Sequence, residues 1–176
     1  MDLPSVLYFG MEPVSGKKVS ETAVVMAQVM LPEDANPAGN VHGGVVMKLM
    51  DTTAYVVASR HSRRNAVTVS IDMVTFHHPV FVGDVIWLKA SINMVGRTSM
   101  EVGVRVEAEN FITGEIRHTS SAYITYVALD EGGRPVGVPE LVLETDEDRR
   151  RNKAAKMRRQ ARLELKAQAA RDRSPG

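Results

Sequence analysis

The fold is decided by one stretch of sequence, HGGVVMKLMDTTAYVVASR, which covers residues 42–60. The stretch contains no proline and is long enough for about five helical turns. Its apolar side chains fall on nearly every face of such a helix, and only Lys48 and Asp51 are charged inside it. Because a helix that is apolar all round is expected to be buried, the stretch predicts a helix at the centre of the domain.

Segments with β-strand patterns lie on both sides of this helix. Residues 20–31 are mostly apolar, which predicts a strand covered on both faces. After the helix, apolar and polar residues alternate in four segments joined by short turns. These segments are residues 67–73, 85–94, 99–109 and 115–128. Short hairpin connections favour an antiparallel sheet, so the expected fold class is α+β, with the sheet curled around the central helix.

The charge of the chain is divided unevenly along its length. The formal net charge is +1, but residues 1–148 carry a net charge of −8 and residues 149–173 a net charge of +9. A threonine followed by three acidic residues, a typical helix start, lies at the boundary. We therefore expect an irregular arm over 1–19, one domain over 20–143, and a basic helix and tail over 144–176.

The composition excludes several classes of protein. With 44% hydrophobic and 24% charged residues, the chain is too apolar for disorder and too charged for a helical membrane protein. The absence of cysteine excludes disulfides and thiol nucleophiles. The histidines, among them His42, His77 and His78, match no metal-ligand spacing, so neither a metal nor another bound cofactor is expected. No signal peptide is visible, which makes the cytoplasm the default location.

Asp51 is the strongest single candidate for chemistry. A carboxylate in the middle of a buried helix is costly unless it is paired or functional. One interpretation is structural, with Asp51 paired to Lys48 three residues earlier or reaching the surface. The other is a general base, because buried carboxylates often serve as bases.

The loop before the helix is the second candidate. Residues 34–44 lead into the helix N-terminus, where free backbone amides favour negative charge. The amides of Gly43 and Gly44 could therefore polarise a carbonyl group, or the two glycines could simply allow close packing. In the strand after the helix, Thr68 and Ser70 could hold a water or a substrate carbonyl, although threonine also suits any strand.

Taken together, these features resemble one known family. Residues 34–44 and 47–51 are similar to hotdog-fold acyl-CoA thioesterases, in particular to the group that contains brain-type cytosolic acyl-CoA hydrolase and its single-domain bacterial relatives. The similarity spans about residues 20–165. Its further matching places are residues 67–72, 76–77, 82–84, 98–102, 123–127 and 138–142.

The resemblance implies a single hotdog fold that hydrolyses acyl-CoA, with coenzyme A present only as part of substrate and product. It implies at least a homodimer, and a trimer of dimers by analogy with bacterial members. Carried onto this sequence, the catalytic residues are Asn36, Asp51 and Thr68. Asp51 would activate water or attack the thioester, Asn36 of the partner subunit would orient it, and the Gly43 and Gly44 amides would stabilise the oxyanion.

Coenzyme A also needs a binding surface. Arg97, Thr98 and Ser99 stand at a predicted strand start, where they could contact the pantetheine or the phosphates, although Arg97 could equally be a surface residue of a hairpin turn. Arg60, near the end of the predicted helix, could meet the phosphates, or it could simply suit a helix C-terminus.

Three other functions remain open at this point. A hotdog domain can be a non-catalytic acyl-CoA sensor, but the arm is too short for the DNA-binding module that usually accompanies one. A dehydratase would need a catalytic histidine on the helix, which is not seen. The basic tail could bind nucleic acid, but it lacks aromatic residues to stack on bases. We expect instead that the tail folds over its own or a neighbouring subunit and offsets repulsion between the acidic body and the phosphates of the substrate.

Overall fold

The structure, a computed structural model, describes residues 16–172. Most of the predicted arm, residues 1–15, and residues 173–176 lie outside the described part. The strands are β1 (Lys17–Lys18), β2 (Val24–Val29), β3 (Asn65–Phe76), β4 (Val85–Val95), β5 (Ser99–Asn110), β6 (Glu115–Leu129) and β7 (Leu141–Val142). The helices are α1 (Val19–Thr22), α2 (Gly43–Ser62) and α3 (Asp146–Asp172).

A five-stranded antiparallel sheet surrounds the central helix. Its strand order is β2-β4-β5-β6-β3, and α2 contacts all five strands. This confirms the predicted fold class, the central helix and the four strands that follow it. The bounds of α2 and of β4 to β6 differ from the predicted ones by at most two residues at either end, because apolar alternation and turn residues are both strong there.

The two faces of the sheet differ in what covers them. On β5, Met100, Val102 and Val104 are buried on the inner face, which packs on α2. The residues that alternate with them, such as Glu101 and Arg105, point to the outer face. The inner face holds the hydrophobic core, so the outer face is left for α3 and for solvent.

The strand predicted over residues 20–31 is wrong in two respects. Its first residues belong to the one-turn helix α1, and β2 is an edge strand whose Val25 remains 62% exposed. Val24 and Met26 pack on the core, whereas Val25 lies on the other face and is left exposed, so the strand is not covered on both faces as predicted.

The end of the predicted arm is not irregular either. Lys17 and Lys18 pair in parallel with β7, and the Lys17 ammonium donates hydrogen bonds of 3.0 and 2.7 Å to the carbonyls of Arg60 and His61. A cation at a helix C-terminus satisfies the last carbonyls and the helix dipole. The segment is therefore tied to the end of α2.

Helix α3 begins where the sequence predicts and lies on the outer face of the sheet. The Thr145 hydroxyl accepts a hydrogen bond from the Asp148 amide, and the Asp148 carboxylate accepts one from the Thr145 amide, both at 3.0 Å. Further along, Arg158 bonds the buried carboxylate of Glu101 at 2.6 Å and Asn152 donates to the Asn93 carbonyl at 2.8 Å. The basic helix thus packs on its own subunit, as one of the two predicted arrangements requires.

Across residues 16–172, no helix combines the length and the apolar character needed to cross a membrane.

His61 should make the stability of the fold depend on pH. Its ring is fully buried at the end of α2, where Nε2 donates to the Pro139 carbonyl at 3.0 Å, and burial lowers the pKa of the imidazole below its ordinary value of 6.5. As pH falls through 6.5, the His61 imidazole becomes protonated in the unfolded chain but stays neutral in the folded chain. The free energy of unfolding should therefore fall between pH 7.5 and about 5.

Denaturant titrations at the two pH values measure this dependence. His61→Gln keeps an amide donor for the Pro139 carbonyl but cannot titrate, so its loss of stability at low pH should be smaller. His78→Gln, at an exposed position, should keep the wild-type dependence. An identical pH dependence in wild type and His61→Gln would contradict the assignment.

Candidate active site

The Asp51 carboxylate is held by two hydroxyl groups of the sheet. Thr68 donates to Asp51 Oδ1 at 2.7 Å, and the Tyr126 hydroxyl lies 2.7 Å from the same oxygen and 2.8 Å from the Asp51 carbonyl oxygen. Thr68 and Tyr126 are cross-strand partners of β3 and β6, so the sheet register places both opposite one turn of α2. Lys48, the partner suggested by one interpretation of the sequence, is not among the groups bonded to this carboxylate in the described chain.

The two carboxylate oxygens of Asp51 are therefore different. Oδ1 accepts both hydroxyl hydrogen bonds, while Oδ2 receives none from residues 16–172. Asp51 is half-buried rather than fully buried, since it lies at the border between the packed and the open side of α2. An oriented carboxylate with one open oxygen can take a proton from water or attack an electrophile.

Tyr126 is a site residue that the sequence reasoning missed. Its side chain is only 1% exposed, and burial, together with the hydrogen bond to Asp51, raises the pKa of the phenol above its usual value. The phenol consequently stays protonated and keeps donating. A signal was present, because a tyrosine on the inward-facing positions of a strand needs a partner for its hydroxyl, but spacing alone does not name Asp51 as that partner.

The Ser70 hydroxyl does not bond Asp51 as the Thr68 hydroxyl does, although both residues were candidates on one strand face. A register irregularity lies between them, with Thr68 opposite Tyr126 and Ser70 opposite Thr125. An extra residue in a bulge reverses the face on which later side chains lie. The Ser70 hydroxyl donates to Asp72 at 3.2 Å instead.

The N-terminus of α2 is capped by a side chain of the loop. His42 Nδ1 accepts a hydrogen bond of 3.1 Å from the Gly44 amide. The Gly44 amide can serve a ligand only after the His42 ring has turned away, which limits the predicted oxyanion role of Gly44. Gly43 also packs closely, since a Cβ there would lie 3.4 Å from the ring of Phe76.

Asn36 lies in a tight turn beside this helix N-terminus. Its Oδ1 accepts hydrogen bonds from the amides of Ala38 at 2.9 Å and Asn40 at 3.3 Å, an Asx turn that leaves its NH₂ group directed elsewhere. Asn36 and Gly43 line one cavity of about 330 Å³, together with Phe76, His77 and His78. Asp51 does not line this cavity, so a single chain does not bring Asn36 and Asp51 into one pocket.

The residues expected to bind coenzyme A lie in two separate places. Arg97 and Thr98 lie in the turn between β4 and β5, and Ser99 is the first residue of β5; a 2.7 Å hydrogen bond from the Gly96 amide to the Ser99 carbonyl closes the turn. Ser99 precedes Met100, which pairs with Tyr126, so this turn lies at the Asp51 end of the sheet. Arg60 instead reaches the Ala23 carbonyl at 3.5 Å, near the opposite sheet edge.

No group of three or more histidine or acidic side chains that could hold a metal ion is found in residues 16–172. The expectation of no metal and no cofactor stays a prediction.

Comparison with known proteins decides the family. A sequence profile described as the Thioesterase superfamily matches residues 38–114. A Bacillus subtilis protein named as an uncharacterized acyl-CoA thioester hydrolase, YkhA, is 38% identical over 138 residues, which are 78% of this chain and 80% of that protein. The chain belongs to the thioesterase superfamily. It is a hotdog-fold thioester hydrolase, as the resemblance in its sequence implied.

Solved structures of other hydrolases match this thioesterase along most of its length. An apo-hexameric acyl-CoA thioesterase is 36% identical, with a TM-score of 0.85 over 88% of this chain and 99% of that one. An acyl-CoA hydrolase from Staphylococcus aureus, in complex with butyryl coenzyme A, coenzyme A and coenzyme A disulfide, is 28% identical, with a TM-score of 0.82 over 89% of this chain and 95% of that one.

The same Staphylococcus aureus hydrolase has also been solved with alanine in place of an asparagine, an aspartate and a threonine. Those three residues follow one another at intervals of 15 and 17 positions, which are also the intervals between Asn36, Asp51 and Thr68 in this thioesterase.

Removing either hydroxyl that holds Asp51 should slow turnover without weakening substrate binding. Tyr126→Phe and Thr68→Val each delete one hydrogen bond to a charged group, which corresponds to about a tenfold loss of kcat. KM should change little, because neither hydroxyl needs to touch the substrate to position Asp51.

Steady-state kinetics on an acyl-CoA thioester measure this effect, with Thr75→Val on the same strand as the matched control. The control should keep the wild-type kcat, because the described hydrogen bonds to Asp51 do not involve Thr75. Wild-type kcat in both site variants would exclude the proposed positioning role of the two hydroxyls.

Proposed function

We propose that this thioesterase hydrolyses acyl-CoA to a free fatty acid and coenzyme A, with Asp51 as the central catalytic residue. The observation that carries the proposal is the carboxylate with one oxygen fixed by Thr68 and Tyr126 and the other open. Such a group is oriented before the substrate arrives, so little reorganisation is needed during the reaction.

Two routes are compatible with this carboxylate. In the first, Oδ2 takes a proton from water while the water oxygen attacks the thioester carbonyl carbon; the carbon–sulfur bond then breaks and the proton passes to the leaving thiolate. In the second, Oδ2 attacks the carbonyl carbon itself, the thiolate leaves, and water hydrolyses the resulting anhydride. In both, negative charge builds on the carbonyl oxygen. The Gly43 amide and the positive end of the α2 dipole would stabilise it, both from the chain that supplies Asn36, because Gly43 and Asn36 line the same cavity.

The second copy needed to complete the site is proposed to dock along β3. This strand is an edge of the sheet, and apolar side chains on it are exposed, with Val69 at 51% and Met73 at 57%. Met47 and Tyr55 continue the exposed apolar surface on α2. A long apolar edge favours aggregation unless a partner covers it, and a second copy offers the same edge in return.

In the proposed homodimer, Asn36 of one chain faces the partner subunit's Asp51, where its free NH₂ group orients the water or the thioester. The separation of Asn36 from Asp51 within one chain supports this arrangement. A trimer of dimers is the proposed full assembly, supported by the hexameric structure to which the chain is similar.

Arg97, Thr98 and Ser99 are the better candidates for binding coenzyme A, because their turn lies at the Asp51 end of the sheet. Arg60 remains a candidate for the phosphates only if a second chain approaches it. A cytoplasmic location stays the default prediction.

Mixed dimers test the shared site directly. Asp51→Asn and Asn36→Ala homodimers should each lose most activity towards acyl-CoA, measured by release of free thiol. When the two inactive chains are refolded together in equal amounts, half the dimers contain one intact site, so about a quarter of the wild-type activity should return.

Mixing each variant with itself is the control and should restore nothing. Recovery of no activity in verified mixed dimers would contradict the placement of Asn36 opposite the partner subunit's Asp51. Tight binding of acyl-CoA without turnover of short, medium or long chains by the wild type would instead favour the non-catalytic sensor.

A further inference from the structure

A second cavity, away from Asp51, lies between the outer face of the sheet and α3. It has a volume of about 430 Å³ and is bordered by β2, β4, β5 and β6 on one side and by the first turns of α3 on the other. We call it the outer groove. Its volume falls within the range of ordinary small-molecule sites.

The outer groove cannot share a ligand with the Asp51 of its own chain. Its floor includes Ser91, Gly103 and Tyr123, which lie on the outer face. Tyr126, the partner of Asp51, is three residues beyond Tyr123 on the same strand and points to the inner face. The thickness of the sheet therefore separates the groove from the Asp51 carboxylate.

The groove carries more positive than negative charge. Five cationic side chains border it, and three carboxylates pair with them. The cations are Lys89, Arg105, Arg150, Arg151 and Arg158, and the paired carboxylates are Glu101, Glu107 and Glu147. Among the groups in direct ion-pair contact, the surplus is two positive charges, which equals the charge of one phosphate monoester dianion.

The surplus arises because two of the carboxylates are shared. Glu107 accepts from Lys89 at 2.6 Å and Arg105 at 2.7 Å, and Glu147 accepts from Arg150 at 2.6 Å and Arg151 at 2.8 Å. The paired cations lower the pKa of both carboxyl groups, that of Glu147 to about 2. The charge count therefore holds at neutral pH.

Two like charges also face each other across the floor. Lys89 and Arg105 are directly opposed in the register of β4 and β5, and the single Glu107 carboxylate pairs with both, so one of the two positive charges is left without a carboxylate of its own. On the other wall, Arg151 donates to the Ser91 hydroxyl at 3.1 Å, which directs a guanidinium into the groove. Arginine and lysine side chains are the usual ligands of phosphate groups in proteins.

We propose that the outer groove is a second binding site, separate from the Asp51 carboxylate of its own chain, for a phosphate dianion such as a phosphate monoester or a diphosphate. A bound dianion would bridge β4 and β5 to α3 and neutralise the two surplus charges. The proposal does not rest on hydrolysis of acyl-CoA, because binding can be measured without substrate.

Pyrophosphate is the first probe, titrated into the full-length protein by calorimetry at constant ionic strength. The single tryptophan, Trp87, reports the location, because it lies two residues from Lys89 on the same strand face and opposite Glu107 in the register. We expect saturable heat together with a saturable change in Trp87 fluorescence. Absence of saturable heat with pyrophosphate, or an equal response to sulfate, would overturn the proposal.

A double variant removes the two surplus positive charges of the outer groove without leaving a carboxylate unpaired. In Arg105→Gln with Arg150→Gln, Glu107 keeps Lys89 and Glu147 keeps Arg151, so the groove becomes neutral. Binding of pyrophosphate should weaken by at least about tenfold. Arg134→Gln with Lys153→Gln, which removes the same charge outside the groove lining, should bind as the wild type does; equal weakening in both double variants would also overturn the proposal.

Two further measurements identify the source of the phosphate. If the occupant is the nucleotide end of coenzyme A bound to a neighbouring chain, the groove double variant should raise KM for acyl-CoA but not for the matching acyl-pantetheine, which lacks the nucleotide. If the occupant is a free nucleotide, ADP should bind as pyrophosphate does while both KM values stay unchanged. Both results support a phosphate site, and they differ only in its ligand.

Discussion

The structure depends on burying one helix that has apolar side chains on nearly all its faces. A single five-stranded sheet covers only part of such a helix. Ala54, Val57 and Ala58 of α2 are completely buried against the sheet, whereas Met47 and Tyr55 on the other side remain exposed. The apolar pattern of α2 therefore requires a covering surface on two sides. Its own sheet supplies one and, in our proposal, a second copy of the chain supplies the other.

The position of the catalytic candidate follows from this constraint. Asp51 lies at the border between the wall that the sheet covers and the side that it leaves open. There the sheet supplies Thr68 and Tyr126 as donors to one oxygen, while the open side leaves the other oxygen accessible. A carboxylate deeper in the core could not reach water, and one on the exposed face would have no fixed orientation.

Sequence patterns predict the fold well where periodicity is uninterrupted. The bounds of β4, β5 and β6 were predictable because apolar alternation runs to the turns. Periodicity fails at β3, where the irregularity after Thr68 turns Ser70 away from the site, and at β2, where the same apolar composition suits either a central or an edge strand. Tyr126 was not predictable as a donor to Asp51, because that contact joins residues 75 positions apart.

The basic segment has a more structural role than its charge suggested. The +9 of residues 149–173 predicted a segment folded over its own or a neighbouring subunit that offsets repulsion between the acidic body and the substrate's phosphates. In the structure, Arg158 is bonded to Glu101, a carboxylate that is only 1% exposed, and Arg162 pairs with Asp72. Deleting α3 would leave the Glu101 charge buried without its partner, which is strongly destabilising. Truncation of the tail consequently cannot isolate an electrostatic effect on substrate affinity, since it also removes the partner of a core carboxylate. Substitutions of the other cations of the outer groove change the electrostatic field around the helix while leaving the Arg158–Glu101 pair in place. They therefore separate the electrostatic role of this helix from its structural role.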